Sequence, residues 1–318
     1  MISTNLDKAI ELLLNDEVIG FPTETVYGLA GNAFSEKAIR SIFQLKKRPF
    51  HNPLIIHIGH ILQLEEISTE IPIKAKALSE EFWPGPLTIL LKKSKNVSDS
   101  VTAGQATVAV RMPNHPLALN LLQRLNFPLV APSANPYQSI SPTSAIHVDR
   151  YFGNEGIFTL DGGESTNGLE STIVGFENDK VIVYRLGAIP LEELERTVGS
   201  VQMNEAKQIG IVSPGMATKH YAPKTPLILT DALKERIEQF DMKNTAVICF
   251  DKLPNANTLG GSIIYSFQGH MRNAAKSLYA LLHDLDERGL DCILIEKFPN
   301  HGLGRTINDR LKRAAATN

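Results

Sequence analysis

The sequence predicts an α/β protein: a twisted, mixed-sheet domain, then a linker, then a smaller second α/β domain. Three observations carry this. The chain has 318 residues, more than a single hydrophobic core usually serves. Short apolar runs bounded by turn residues alternate with segments of helical spacing, the pattern of a sheet covered by helices. Periodicity lapses between about Val201 and Thr225 and then resumes, which divides the chain into residues 1–200, 201–225 and 226–318.

The elements follow in order. Thr4 and Asp7 give a capping signal for a helix near 5–15, with Leu6, Ala9, Ile10, Leu13 and Leu14 on its apolar face. Val18–Phe21 reads as a strand, and Ser35 caps a second helix that buries Ala38, Ile39, Ile42 and Phe43. Strands are expected at Leu54–Ile58, Leu87–Leu91, Thr107–Val110, Leu129–Ala131, Ile157–Leu160, Thr172–Val174 and Val181–Tyr184. Covering helices are expected near 74–82, 116–125 and 190–198. In the second domain, strands at Leu227–Leu229, Ala246–Phe250, Ser262–Tyr265 and Cys292–Ile295 alternate with helices near 231–240, 270–287 and 304–315.

Composition narrows the function. A formal charge of -2 supplies no global field to attract nucleic acid. Cys249 and Cys292 show no metal-ligand spacing, which fits buried strand residues in a reducing, cytoplasmic setting. The first apolar stretch carries Asp7, Glu11 and Asp16, unlike a signal peptide, and no apolar window is long enough to span a membrane. Walker A, GxGxxG, HExxH and GxSxG patterns are all missing, so any nucleotide is bound by another route. Glu24, Asp161, Glu164 and Glu170 have no recognisable metal-ligand spacing, and no protein metal site is expected.

The loops hold the chemistry. Lys46, Lys47 and Arg48 end a helix, where cations complement its dipole. The rigid Pro49-Phe-His-Asn52-Pro53 turn that follows suggests a polyphosphate clamp instead. Arg111 closes the run Thr107-Val-Ala-Val-Arg111 at the carboxyl end of a strand, where a guanidinium fork suits a carboxylate. Ala131-Pro-Ser133-Ala-Asn135, Ser139-Ile-Ser141, Glu170-Ser171-Thr172 and Tyr184-Arg185-Leu-Gly187 add hydroxyls, backbone N–H groups and a cation at strand ends. Turn chemistry explains each alone; together they point to a small anionic ligand.

The ordered motifs Phe21-Pro-Thr-Glu-Thr-Val-Tyr-Gly-Leu29, Lys46-Lys-Arg48 with Asn52 and His57, Phe82-Trp-Pro-Gly-Pro-Leu-Thr88, Thr107 to Arg111, Ala131-Pro-Ser-Ala-Asn135, Ser141-Pro-Thr143, Asp161-Gly-Gly163 and Glu170-Ser-Thr172 resemble the YrdC/Sua5 family. The later Ser213-Pro-Gly-Met and Lys219-His-Tyr221-Ala-Pro segments resemble its long Sua5 form. The resemblance implies a YrdC-like mixed-sheet domain and a Rossmann-like C-terminal α/β domain. It also implies a nucleotidyltransferase that makes threonylcarbamoyl-AMP and pyrophosphate from L-threonine, bicarbonate or CO₂, and ATP. That product serves N6-threonylcarbamoyladenosine formation at position 37 of ANN-decoding tRNAs.

By the same resemblance, Arg48, Asn52, Thr107, Ser133, Ser141, Arg185 and Tyr221 are ATP contacts, Thr107 at the phosphate side. Lys46 and Arg48 are the catalytic cations, and Thr25, His57, Arg111, Ala131 and Ser171 hold L-threonine. ATP is the substrate, and Mg²⁺ is expected to be held mainly by its phosphates. The product would pass to a tRNA threonylcarbamoyl-transfer complex, with at most weak direct tRNA contact. Such chemistry, an anionic carbamate attacking a phosphate, asks for a crevice rich in cations and poor in carboxylates, with the 201–225 linker as a lid carrying Tyr221. The competing reading is a double-stranded RNA or tRNA binding module.

Overall fold

The computed structural model describes residues 1–204, 219–240, 242–252 and 263–316. They divide into two compact units: residues 1–137 with the described residues from Ser141 to Asn204, and Gln138–Ile140 with the described residues from Lys219 onward.

The first unit is built on one mixed sheet of twelve strands. In chain order these are β1 (Ile2–Ser3), β2 (Ile19–Phe21), β3 (Gly28–Asn32), β4 (Ile55–His57), β5 (Ser68–Glu70), β6 (Leu87–Lys93), β7 (Thr107–Arg111), β8 (Leu129–Val130), β9 (Phe158–Leu160), β10 (Thr172–Glu177), β11 (Lys180–Arg185) and β12 (Val201–Met203). The sheet runs β1-β9-β2-β3-β8-β4-β7-β6-β10-β11-β12, with β5 paired to β6. β4 and β7 are parallel, with His57 opposite Arg111, and β6 runs antiparallel to β7.

Strand alternation decides which side chains reach the site. Val108 and Val110 of β7 join the main core with Ile56 of β4 and Ile39, Ile42 and Phe43 of the helix Glu36–Lys46. Ala109 and Ile55 pack with Leu90 and Ile173 on the other side. A second core joins the helices Leu6–Leu14 and Pro116–Arg124. Full burial of an aliphatic chain such as Ile56 is worth about 1.5–3 kcal/mol, so these cores fix the strands from which the site residues project.

The second unit has a parallel sheet of four strands, β13 (Leu227–Thr230), β14 (Thr245–Cys249), β15 (Ile263–Ser266) and β16 (Cys292–Glu296), in the order β13-β16-β14-β15. The helices Leu233–Ile237, Met271–Asp286 and Leu303–Ala314 alternate with them. Cys249 and Cys292 are buried strand residues, as their surroundings in sequence suggested.

Several details depart from the sequence reading. The first long helix is capped by Asn5, whose side chain accepts from Lys8 N, rather than by Thr4. Leu14 is 59% exposed because it falls off the buried stripe. Gly28–Asn32, inside a loop-like motif, is a strand, and Ala145–Phe152 is a helix that was not expected. Val201–Met203, read as the start of the linker, pairs in parallel with β11 as an edge strand. The stretch 205–218, including Ser213 to Met216, lies outside the described residues.

Candidate active site

The helix Glu36–Lys46 ends when Lys47 adopts a left-handed conformation at φ 51°, and this turn separates the three basic residues. Lys47 is exposed, whereas Lys46 and Arg48 are buried. Lys46 Nζ donates to the carbonyls of Ser133 and Asn135. Burial, and secondarily the charge of Arg48, hold its amine well below the usual lysine range. Arg48 donates from Nη2 to Pro53 O at 3.0 Å, and Asn52 Nδ2 reaches Tyr137 Oη at 3.3 Å. Two basic side chains are thus kept close together in a buried loop crossing, and an arriving polyanion would favour the charged form of Lys46.

A second network forms at the carboxyl end of β7. Arg111, only 4% exposed, donates from Nη1 to Thr25 Oγ1 at 2.8 Å and from Nε to Gly85 O at 3.2 Å. Its Nη2 lies 2.6 Å from Glu24 Oε1. Thr25 is held in turn by Thr23, whose Oγ1 lies 2.8 Å away and also donates to Val26 O. His57, across from Arg111, is pushed down to about 3 by burial first and by the Arg111 charge second. It is therefore neutral near pH 7. Its Nδ1 lies 3.2 Å from Ile55 O; with the proton there, Nε2 is an acceptor.

A third network joins β6, β10 and β11. Ser171 Oγ lies 2.7 Å from Thr88 Oγ1, and Arg185 donates to Ser171 O and Oγ at 2.8 and 3.0 Å. Ser141 donates to Glu170 Oε1 at 2.7 Å. Gly187 lets the chain after β11 fold against this turn: a Cβ there would stand 2.2 Å from Thr172 N. Ala188 N meanwhile donates to Glu170 O.

The structure thus brings Lys46 together with the Ser133 loop, Arg48 with Asn52, Thr25 with Arg111 opposite His57, and Ser171 with Arg185. Ala131 continues the same framework, its N–H donating to Ile55 O at 3.1 Å. Thr107 stands apart at the other end of β7, about 13 Å along the strand from Arg111, beside Tyr184 and Leu90 in an open cleft of about 890 Å³. Tyr221 belongs to the second unit, stacked on Tyr279 at 5.8 Å with the Arg310 guanidinium 4.9 Å from its ring. The expectation of a crevice poor in carboxylates meets two buried ones, Glu24 and Glu170. A signal for Glu24 was present in sequence: an acidic residue between two threonines in an otherwise apolar turn.

These features define an α/β protein that gathers buried basic side chains and hydroxyls at strand ends. A family model described as "Telomere recombination", covering the Sua5, YciO and YrdC proteins, matches residues 11–187. A second, described as "Threonylcarbamoyl-AMP synthase, C-terminal domain", matches residues 189–316. The chain belongs to the Sua5/YciO/YrdC family, in the long form that carries the Sua5 C-terminal domain. It is 38% identical to the threonylcarbamoyl-AMP synthase of Bacillus subtilis, over 99% of this chain and 94% of that one. The Pyrococcus abyssi enzyme of the same name is 38% identical over 94% of this chain and 90% of its own. The crystal structure of P. abyssi Sua5 complexed with L-threonine superposes with a TM-score of 0.90 at 36% identity, covering 98% of this chain and 94% of that one.

Proposed function

We propose that the chain is a threonylcarbamoyl-AMP synthase, joining L-threonine, bicarbonate or CO₂, and ATP into threonylcarbamoyl-AMP with release of pyrophosphate. The observation that carries this reading is the buried Arg111–Thr25 pair opposite His57, in a chain superposable over nearly its whole length on a relative complexed with L-threonine. Arg111 takes the amino acid carboxylate, Thr25 and Ser171 offer hydroxyls, and neutral His57 accepts a hydrogen bond at Nε2. Threonine carbamate is an anion that must attack the anionic α-phosphate. The Arg48 guanidinium, and Lys46 once the arriving phosphates favour its protonated form over the pull of burial and of Arg48, lower that barrier by stabilising charge in the transition state rather than by supplying a base.

Asn52, Ser133, Ser141, Arg185, Thr107 and Tyr221 are proposed as nucleotide contacts, and Ala131 as a backbone contact to threonine. The parts are proposed to be the first unit, which β12 extends past residue 200, for catalysis, a linker after Asn204 that ends near residue 225, and 226–318 as the C-terminal domain. Mg²⁺ is proposed to ride on the triphosphate oxygens, since Glu170 accepts from Ser141 and Glu24 stands beside the Arg111 guanidinium, whose charge repels a cation. The product is proposed to go to a tRNA threonylcarbamoyl-transfer complex in the cytoplasm. No described helix is long and apolar enough to cross a membrane. RNA binding as the main activity is disfavoured by the formal charge of -2, which supplies no global attraction for a polyanion.

Mass spectrometric detection of threonylcarbamoyl-AMP from purified protein, ATP, threonine and bicarbonate tests the function. Lys46→Ala and Arg111→Ala alongside test the site: full activity in both would refute the assignment.

A further inference from the structure

Glu24 is 4% exposed, yet neither of its carboxylate oxygens has a hydrogen bond within the protein, and the same holds for Arg111 Nη2. The 2.6 Å approach of Nη2 to Oε1 is an ion pair without hydrogen-bond alignment. The other buried carboxylate of the site differs, because Glu170 accepts from Ser141. A buried carboxylate left without donors is costly, and such groups are ordinarily met by an ion, a ligand or water. The turn holding Glu24 is firm: its backbone carbonyl accepts from Asn167 N at 2.7 Å, and Thr23 Oγ1 accepts from the N–H groups of Thr25 and Val26. Glu24 is therefore fixed beside Arg111.

The charge pattern selects the partner. A divalent cation at Glu24 would face the Arg111 guanidinium directly and be repelled. A simple anion would satisfy Arg111 and leave Glu24 worse off. A zwitterion with carboxylate and ammonium on one carbon supplies both complements at the spacing of a single side-chain ion pair. We propose that Glu24 receives the α-ammonium group of the amino acid substrate while Arg111 receives its carboxylate, so that the Glu24–Arg111 pair is a charge-matched receptor for the zwitterion. The assignment rests on the synthase reading and deepens it. It makes Glu24 the residue that requires a substrate amine, the nitrogen on which the carbamate must be built.

The test compares L-threonine with 3-hydroxybutanoate of matching configuration, which keeps the carboxylate and the hydroxyl and lacks the amine. Dissociation constants are measured by calorimetry, or by competition where binding is weak, for the full-length wild type and for Glu24→Gln. A hydrogen bond to a charged group is worth enough that the wild type should prefer threonine by about 10–100-fold. In Glu24→Gln that preference should fall several-fold toward unity, with ATP affinity retained. Equal preference in the two proteins would overturn the assignment. Should Glu24→Gln fail to fold, Glu24→Asp replaces it: a large wild-type preference partly lost in Glu24→Asp supports the assignment, and a wild-type preference near one, or one unchanged in Glu24→Asp, overturns it. A wild type that binds ATP but no threonine would overturn the synthase reading and the receptor with it. Threonine binding without discrimination would overturn the receptor only.

Discussion

Arg111 meets two demands that a lysine could not meet together. Its planar fork serves Thr25 and Gly85 O with separate nitrogens while Nη2 stands beside Glu24. Arg111→Lys is expected to raise the KM for threonine at least about 10-fold with little change in ATP affinity, from loss of a bidentate partner; steady-state kinetics against each substrate checks the split. Arg111→Ala should also destabilise the fold by about 3–5 kcal/mol, because it strands a buried carboxylate, and a urea titration reads this. His57 makes a pH prediction. Its folded value of about 3 lies below the ordinary 6.5, so between these pH values the unfolded chain binds a proton that the folded chain refuses. The stabilisation is complete above 6.5 and is lost as pH falls toward 3, by up to about 1.4 kcal/mol per unit. His57→Gln should flatten the dependence of Tm on pH across that window. Arg111 and His57 were legible in sequence because each ends an apolar run. Glu24 was read in sequence only as a carboxylate without metal-ligand spacing, because its pairing with Arg111, far away in the chain, appears only in the fold.

At the level of elements, the strands that present the site are set by alternation, and alternation is visible in sequence. Thr107, Ala109 and Arg111 share one face of β7 while Val108 and Val110 enter the core. The same periodicity left the reach of Thr107 undetermined, since residues on one face of a strand need not serve one site. β3 went unread because Gly28, Ala30, Gly31 and Asn32 carry weak strand propensity; its partners β2 and β8 impose the conformation. β12 was read as linker because three residues ending in an exposed methionine give no usable pattern. Gly187 joins two elements by close approach. Gly187→Ala would drive a methyl against the Thr172 and Ser171 backbone, and overpacking of this kind costs about 1–3 kcal/mol. The expected result is a lowered Tm together with weakened substrate binding, since Ser171 and Arg185 move with the turn. An unchanged Tm would show that the turn can yield.

At the scale of the whole chain, each unit has its own sheet and its own buried cluster. A chain ending at Asn204 is therefore expected to fold cooperatively and to bind threonine, and, on the nucleotide contact proposed for Tyr221, to release less pyrophosphate. Unchanged release in a coupled phosphate assay would remove Tyr221 and the linker from the reaction. The division into two α/β parts was legible because periodicity lapses and resumes, whereas the assignment of Gln138–Ile140 to the second unit had no local sequence signal. The cysteines give this division an experimental handle. The chain has two, Cys249 and Cys292, on the neighbouring strands β14 and β16, and both are buried. Burial pushes the Cys292 thiol up, so neither sulfur reacts readily until its sheet opens. With no thiol anywhere in the first unit, the labelling rate under native conditions is a clock for opening of the second unit alone, and each substrate can be asked whether it slows that clock.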